Sequence, residues 1–256
     1  MFKIFSHWLD RRIIKQSNIT LPQWEKAFSS LPLLRGLTTD EKIRLRDLTI
    51  LFLNDKIIEG AHALKITTHM SLIIGLQACL PILKFSLDDY SGWTTVIIYP
   101  SGFTTKQVII DEYGVEHHVE SDLAGESWLR GPVILAWDET ENAGVIDGHN
   151  LVIHEFSHKL DMQNGIANGF PPLHSNMAPA EWAKAFSDGF EDFKHKCSKG
   201  KEIGIDCYGA SSPAEYFAVL SEVFFERPEV IQRYYPAVLN LLQQYYQQDT
   251  LTRLKY

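Results

Sequence analysis

The chain has 256 residues, 45% of them hydrophobic and 22% charged, with 24 Lys and Arg against 32 Asp and Glu. That balance describes a globular protein with ample material for a core and excludes disordered and fibrous classes. A formal net charge of -8 argues against direct nucleic-acid binding, which needs a basic face to displace counterions from phosphates.

No secretory leader is expected, because Asp10 interrupts the N-terminus before an apolar run can form. The most apolar stretch, Leu72 to Leu83, is broken by Gln77 and Pro81 and is too short for the roughly 20 residues of a membrane span, so it reads as a buried helix. Residues 1–90 form a helical region of two or three helices; Thr38-Thr-Asp-Glu41 is a capping box, followed by Ile43, Leu48, Leu51 and Phe52 at helical spacing. Residues 91–256 form the second region, packed on the first as one unit. It opens with short β-rich runs at Thr94–Tyr99, Gln107–Asp111, Val115–Glu120 and Val133–Trp137, which predict a small, mostly antiparallel sheet. Tyr113-Gly114 and Arg130-Gly-Pro132 are the turns between them.

Asn150 is the expected N-cap of a helix from Leu151 to Gln163, closed by Asn164-Gly165. Trp182, Phe186, Phe190 and Phe193 mark a helix begun at Pro179, and Lys194 to Asp206 reads as an exposed loop. Ser212-Pro213-Ala-Glu215 opens a helix through Phe225, and Pro228 to Gln248 gives one or two more. The three cysteines, Cys79, Cys197 and Cys207, are odd in number and include no Cys-x-x-Cys pair, so an unstapled fold in a reducing, cytoplasmic compartment is expected.

The chemistry lies in His154-Glu155-Phe156-Ser157-His158. Positions i and i+4 of a helix face the same way, so two imidazoles reach one ion while Glu155 projects beside them. A catalytic zinc site needs a third protein ligand. Asp161 stands at i+7 from His154 on the same helix, where a straight helix seldom wraps a third ligand around one ion. Glu215 approaches from a different helix. Ser212-x-x-Glu215 is also a capping box in which Glu215 bonds back to Ser212, so spacing leaves both candidates open.

The segment His154–Met162, with Tyr208-Gly-Ala-Ser-Ser-Pro-Ala-Glu215 and its continuation to Phe225, resembles the Mlc titration factor A family of bacterial glutamate-zincin metallopeptidases. Pro32–Leu37, Gln77–Leu80, Val96–Pro100, Gly131–Leu135 and Tyr246–Asp249 are similar to that family's texture, so the resemblance covers nearly the whole chain. The Tyr-Gly-x5-Glu spacing also resembles, more distantly, the catalytic domain of anthrax lethal factor. The resemblance implies an α+β, zincin-like metallopeptidase with an active-site helix and further helices at both ends. It implies that His154, His158 and Glu215 bind one Zn2+, with Glu155 as the catalytic carboxylate and Tyr208 stabilising the transition state. Asp161 then orients His158 or another ligand through a hydrogen bond. Glu222, at i+7 from Glu215 on the same face, either supports a ligand from behind or is a solvated side chain, and it stays outside the ligand set. His117 and His118 take no metal, since neighbours on a strand face opposite ways, and His149 and His174 are loop residues.

The expected activity is hydrolysis of a peptide or protein substrate, with the edge of the Val133–Trp137 strand pairing with it. The resemblance adds aminopeptidase activity, although the chain contains no Gly-x-Met-Glu-Asn stretch of the kind that holds a free N-terminus. A different class also follows from it: a binding protein that sequesters the transcriptional repressor Mlc and so relieves repression of a sugar-uptake system.

Overall fold

The computed structural model describes residues 2–110, 116–123, 125–127, 131–141 and 145–255. Asp111, the Tyr113-Gly114 turn, Val115 and Arg130 lie outside the described residues. Helices α1 (Phe2–Gln16), α2 (Leu21–Ser29), α3 (Thr39–Asp55) and α4 (Thr68–Cys79) come first, with strand β1 (Ile57–Gly60) between α3 and α4. The middle of the chain holds β2 (Thr95–Tyr99), β3 (Phe103–Ile110), β4 (Glu116–Leu123), β5 (Gly125–Ser127), β6 (Val133–Ala136) and the short α5 (Trp137–Glu141). Then follow α6 (Leu151–Asp161), α7 (Pro179–Ser198), α8 (Pro213–Glu226), α9 (Pro228–Tyr234), α10 (Pro236–Tyr246) and α11 (Thr250–Arg253).

Helices with a small sheet place the chain in the expected α+β class, but the sheet differs from expectation. Its order is β1-β2-β6-β5, and β1, β2 and β6 run parallel. Antiparallel pairing is confined to β5 on β6 and to the separate β3–β4 hairpin, whose β4 carries His117 and His118. The connections explain the parallel order: α4 lies between β1 and β2, and the hairpin between β2 and β6, so each crossover is long enough to return the chain in the same direction. Strand β1 itself falls in the region read as wholly helical. The expected substrate edge at Val133–Trp137 is also corrected, because β6 is flanked by β2 and β5, and Trp137 already begins α5.

The caps form as their chemistry dictates. Thr38 Oγ1 accepts from Glu41 N at 3.2 Å while Glu41 Oε2 accepts from Thr38 N, and Asn150 Oδ1 accepts from Ile153 N at 3.0 Å. Helix α7 runs on to Ser198, through the first part of the expected Lys194–Asp206 loop. Glu191–Lys194 and Asp192–Lys196 ion pairs at i,i+3 and i,i+4 line that extra turn and support its helical continuation. The longer helix delivers Cys197 to Cys207, and the two are disulfide-bonded with Cα atoms 5.7 Å apart. This corrects the unstapled expectation and removes the cysteine argument for a reducing compartment; Cys79 remains a buried free thiol. No helix among the described residues is long and apolar enough to cross a membrane.

Helices α6 and α8 run through the middle of the core. Ten of the eleven residues of α6 and twelve of the fourteen of α8 are buried, so neither keeps a solvated face. Phe156 of α6 anchors one side against Phe52, Tyr90 and Trp93, at ring distances of 5.6, 5.2 and 5.7 Å. The buried cluster includes side chains from both 1–90 and 91–256.

Candidate metal centre

Helix α6 sets His154 and His158 one turn apart, with their Nε2 atoms 3.2 Å from each other. Glu215, in the first turn of α8, brings Oε2 to 3.0 Å from His154 Nε2 and 3.3 Å from His158 Nε2. One potential ligand atom from each of the three residues lies within 4.8 Å of the others. A tetrahedral ion with bonds of about 2.0–2.1 Å holds its ligand atoms roughly 3.3 Å apart, so these separations suit such an ion with little movement. Two imidazoles and one carboxylate leave a fourth position free, the donor set of an open site.

Only half of the capping box at α8 forms. Ser212 Oγ accepts from Glu215 N at 3.2 Å, but the Glu215 carboxylate turns to the histidines. Burial favours the neutral acid, yet the hydrogen bonds from His154 and His158 outweigh it and draw the Glu215 pKa down to about 2. Burial likewise pulls His154 down, and Glu215 and Glu222 outweigh it, raising His154 well above the ordinary imidazole value. Because metal ligands bind deprotonated, an ion entering here releases that proton.

Glu155 is 3% exposed, and its Oε2 has no hydrogen-bond partner among the described residues. Burial pushes its pKa up to about 7 against the pull of His154 and His158. A carboxylate poised near neutrality is suited to take and return a proton.

Tyr208 lies in a 3₁₀ turn (Cys207–Ala210) and is 51% exposed, its ring centroid 6.0 Å from that of His154. Burial of its inner half, then the charges of Glu215, Glu155 and Asp206, push its pKa up to about 12, which keeps the hydroxyl a donor. Asp206 caps the turn by accepting from Tyr208 N at 2.9 Å. Gly209 fits tightly there, since a Cβ on it would stand 3.2 Å from Val219 and 3.3 Å from Phe193.

Asp161 does not make the expected bond to His158. Its carboxylate accepts backbone N–H groups of Asn168, Gly169 and Phe170 at 2.7, 2.7 and 3.0 Å, while His158 Nδ1 has no partner among the described residues. The bonds hold Gly169 at φ +77°, where a Cβ would sit 2.4 Å from Pro213 O, so the loop after α6 is pressed against the start of α8. His149 stands in the loop before α6, with Nδ1 3.6 Å from Asp206 Oδ2, and His174 Nε2 donates to Tyr245 O.

Behind the ligands lies a polar group of which sequence reasoning raised Glu222 alone and left its role open. His154 Nδ1 donates to Glu222 Oε1 at 2.7 Å, Asn150 N donates to Glu222 Oε2, and Gly148 N donates to Glu226 Oε2 at 3.0 Å. Asn150 Nδ2 donates to Glu226 Oε1 at 2.9 Å and Gln77 Oε1 at 2.8 Å. The available signal was the presence of Glu222 and Glu226 in a helix with no solvated side.

Residues 5–247 match the profile of the glucose-regulated metallo-peptidase M90 family. The chain is similar to proteins called Mlc titration factor A. It is 34% identical to that of Escherichia fergusonii over 250 residues, covering 97% of this chain and 93% of the relative. It is 35% identical to that of Serratia proteamaculans over 239 residues (92% and 90%) and 36% identical to that of Yersinia pestis over 238 residues (92% and 87%).

Proposed function

The chain belongs to the glucose-regulated metallo-peptidase M90 family, and from that premise we propose that it is a zinc metallopeptidase hydrolysing peptide bonds. The observation carrying this reading is the convergence of His154, His158 and Glu215 within 4.8 Å, beside the buried carboxylate of Glu155. The three ligands would hold one Zn2+. When bound, zinc supplies a Lewis acid that lowers the pKa of water and polarises a carbonyl. Glu155 accepts the water proton and returns it to the leaving amine. Tyr208, kept protonated, donates to the oxygen that gains charge. An extended substrate backbone pairs with the outer edge of β5, which lies at the margin of the sheet and packs against α6.

The test is Glu155→Gln, assayed for peptide cleavage at matched zinc content. The expected loss is about 10²–10⁴-fold in kcat, the usual worth of a general base. Undiminished turnover refutes the assignment.

A second reading is favoured by the name that the relatives carry, and it adds a partner: a repressor resembling Mlc. The net charge of -8 is complementary to a DNA-binding protein. Pull-down of such a repressor by wild type and by Glu155→Gln alike, with the repressor left uncut, supports binding as a function in its own right. Absence of capture by either protein refutes it.

A further inference from the structure

Helix α8 presents three glutamates to α6. Glu215, Glu222 and Glu226 fall at i, i+7 and i+11 and therefore share a face. Glu215 meets the histidine Nε2 atoms, while the other two meet the helix start and the far side of one imidazole. Burying carboxylates is costly unless they are hydrogen-bonded. Here Glu222 and Glu226 take the otherwise orphaned N–H groups of Asn150 and Gly148 at the N-terminus of α6, where the helix dipole also favours negative charge.

The two histidines differ in what stands behind them. His158 Nδ1 has no partner among the described residues, whereas His154 Nδ1 faces Glu222 Oε1 at 2.7 Å. A carboxylate there can only accept, so Nδ1 carries a proton whatever the state of Nε2, which leaves Nε2, beside Glu215 and His158, as the nitrogen that faces an entering ion. We propose that Glu222 is a positioning residue of the metal centre, fixing the tautomer and ring plane of His154 while gripping the cap of the same helix. This rests on the reading of His154, His158 and Glu215 as zinc ligands. Helix α8 thereby supplies one ligand directly and orients a second, so the donor geometry is set before metal arrives.

The test is zinc affinity, measured by competition with a chromophoric chelator, together with the visible spectrum of the cobalt-loaded protein. Glu222→Gln is isosteric and Glu222→Asp keeps the charge. Glu226→Gln is the control, because Glu226 bonds the same helix start without touching a ligand. Circular dichroism establishes that each variant is folded before titration. Glu222→Gln is expected to weaken zinc binding about 10–100-fold, the usual effect of removing such an orienting partner. It should also shift the cobalt bands. Glu222→Asp recovers part of the affinity, and Glu226→Gln keeps the wild-type values.

Wild-type affinity and bands in Glu222→Gln overturn the proposal while leaving the zinc reading standing. Equal losses in Glu222→Gln and Glu226→Gln also overturn it, since the effect then comes through the helix start alone. Wild-type protein that takes up no zinc overturns the metal reading and this inference together.

Discussion

The α6–α8 contact and the 3₁₀ turn at Cys207–Ala210 meet beside His154, but different physics holds each of them. Along α6–α8, buried carboxylates face buried imidazoles and helix-start amides, and almost no side chain reaches water. The turn instead carries a half-exposed tyrosine, an aspartate cap, a glycine wedged against Val219 and one covalent tether to α7. On the proposed function, the contrast follows from what each part has to meet. Donor atoms for an ion need fixed separations, and burial between two packed helices, with His154 hydrogen-bonded from behind, supplies them. A group that must reach an incoming carbonyl needs access, and a short capped turn supplies that without a core of its own.

The largest expected effect comes from breaking the buried side. Glu215→Ala removes the ligand proposed from α8 and is expected to leave protein with no bound zinc by elemental analysis and only background peptide hydrolysis. Full retention of zinc would refute the ligand set. Tyr208→Phe sharpens the comparison from the other side. Zinc content should stay at the wild-type level while kcat falls about 10²–10³-fold, as when one oxyanion donor is lost. Loss of zinc in that variant would mean that the turn helps to build the metal centre and that the two regions are not separable. The smallest effect is on the tether. Cys207→Ser opens a loop with a sequence separation of 10, and chain entropy predicts a loss of about 3 kcal/mol in stability by denaturant titration. Zinc affinity should not change.

Much of the buried region was legible in the sequence because its signals are local. Asn150 before an apolar helical run, Ser212-Pro213 before another, and two histidines four apart each specify structure within a turn or two. The pairing of β1, β2 and β6 is non-local, and no turn residue encodes it. Yet Val96-Ile-Ile and Val133-Ile-Leu-Ala are near-continuous apolar runs, a texture common in parallel sheets, and the antiparallel expectation passed over it. Asp161 was misread because spacing along a helix says which face a carboxylate shares, not which loop folds back to claim it. Glu222 illustrates the same limit: i+7 from Glu215 describes a solvated glutamate and a buried one equally well until the apolar surroundings from Tyr216 to Phe225 are considered. The bond between Cys197 and Cys207 depended on where α7 ends, and composition does not contain that.

The tether makes residues 197–207 a closed ring, and the exposed Lys199 and Lys201 lie inside it. A protease that cuts after either lysine adds one water but separates nothing, because the two new ends stay joined through sulfur. The nicked chain therefore runs as a single species until a thiol reductant is added, and only then splits into a fragment bearing both histidines and one bearing Glu215. The proposed metal centre can thus outlast a break in the backbone between its candidate ligands.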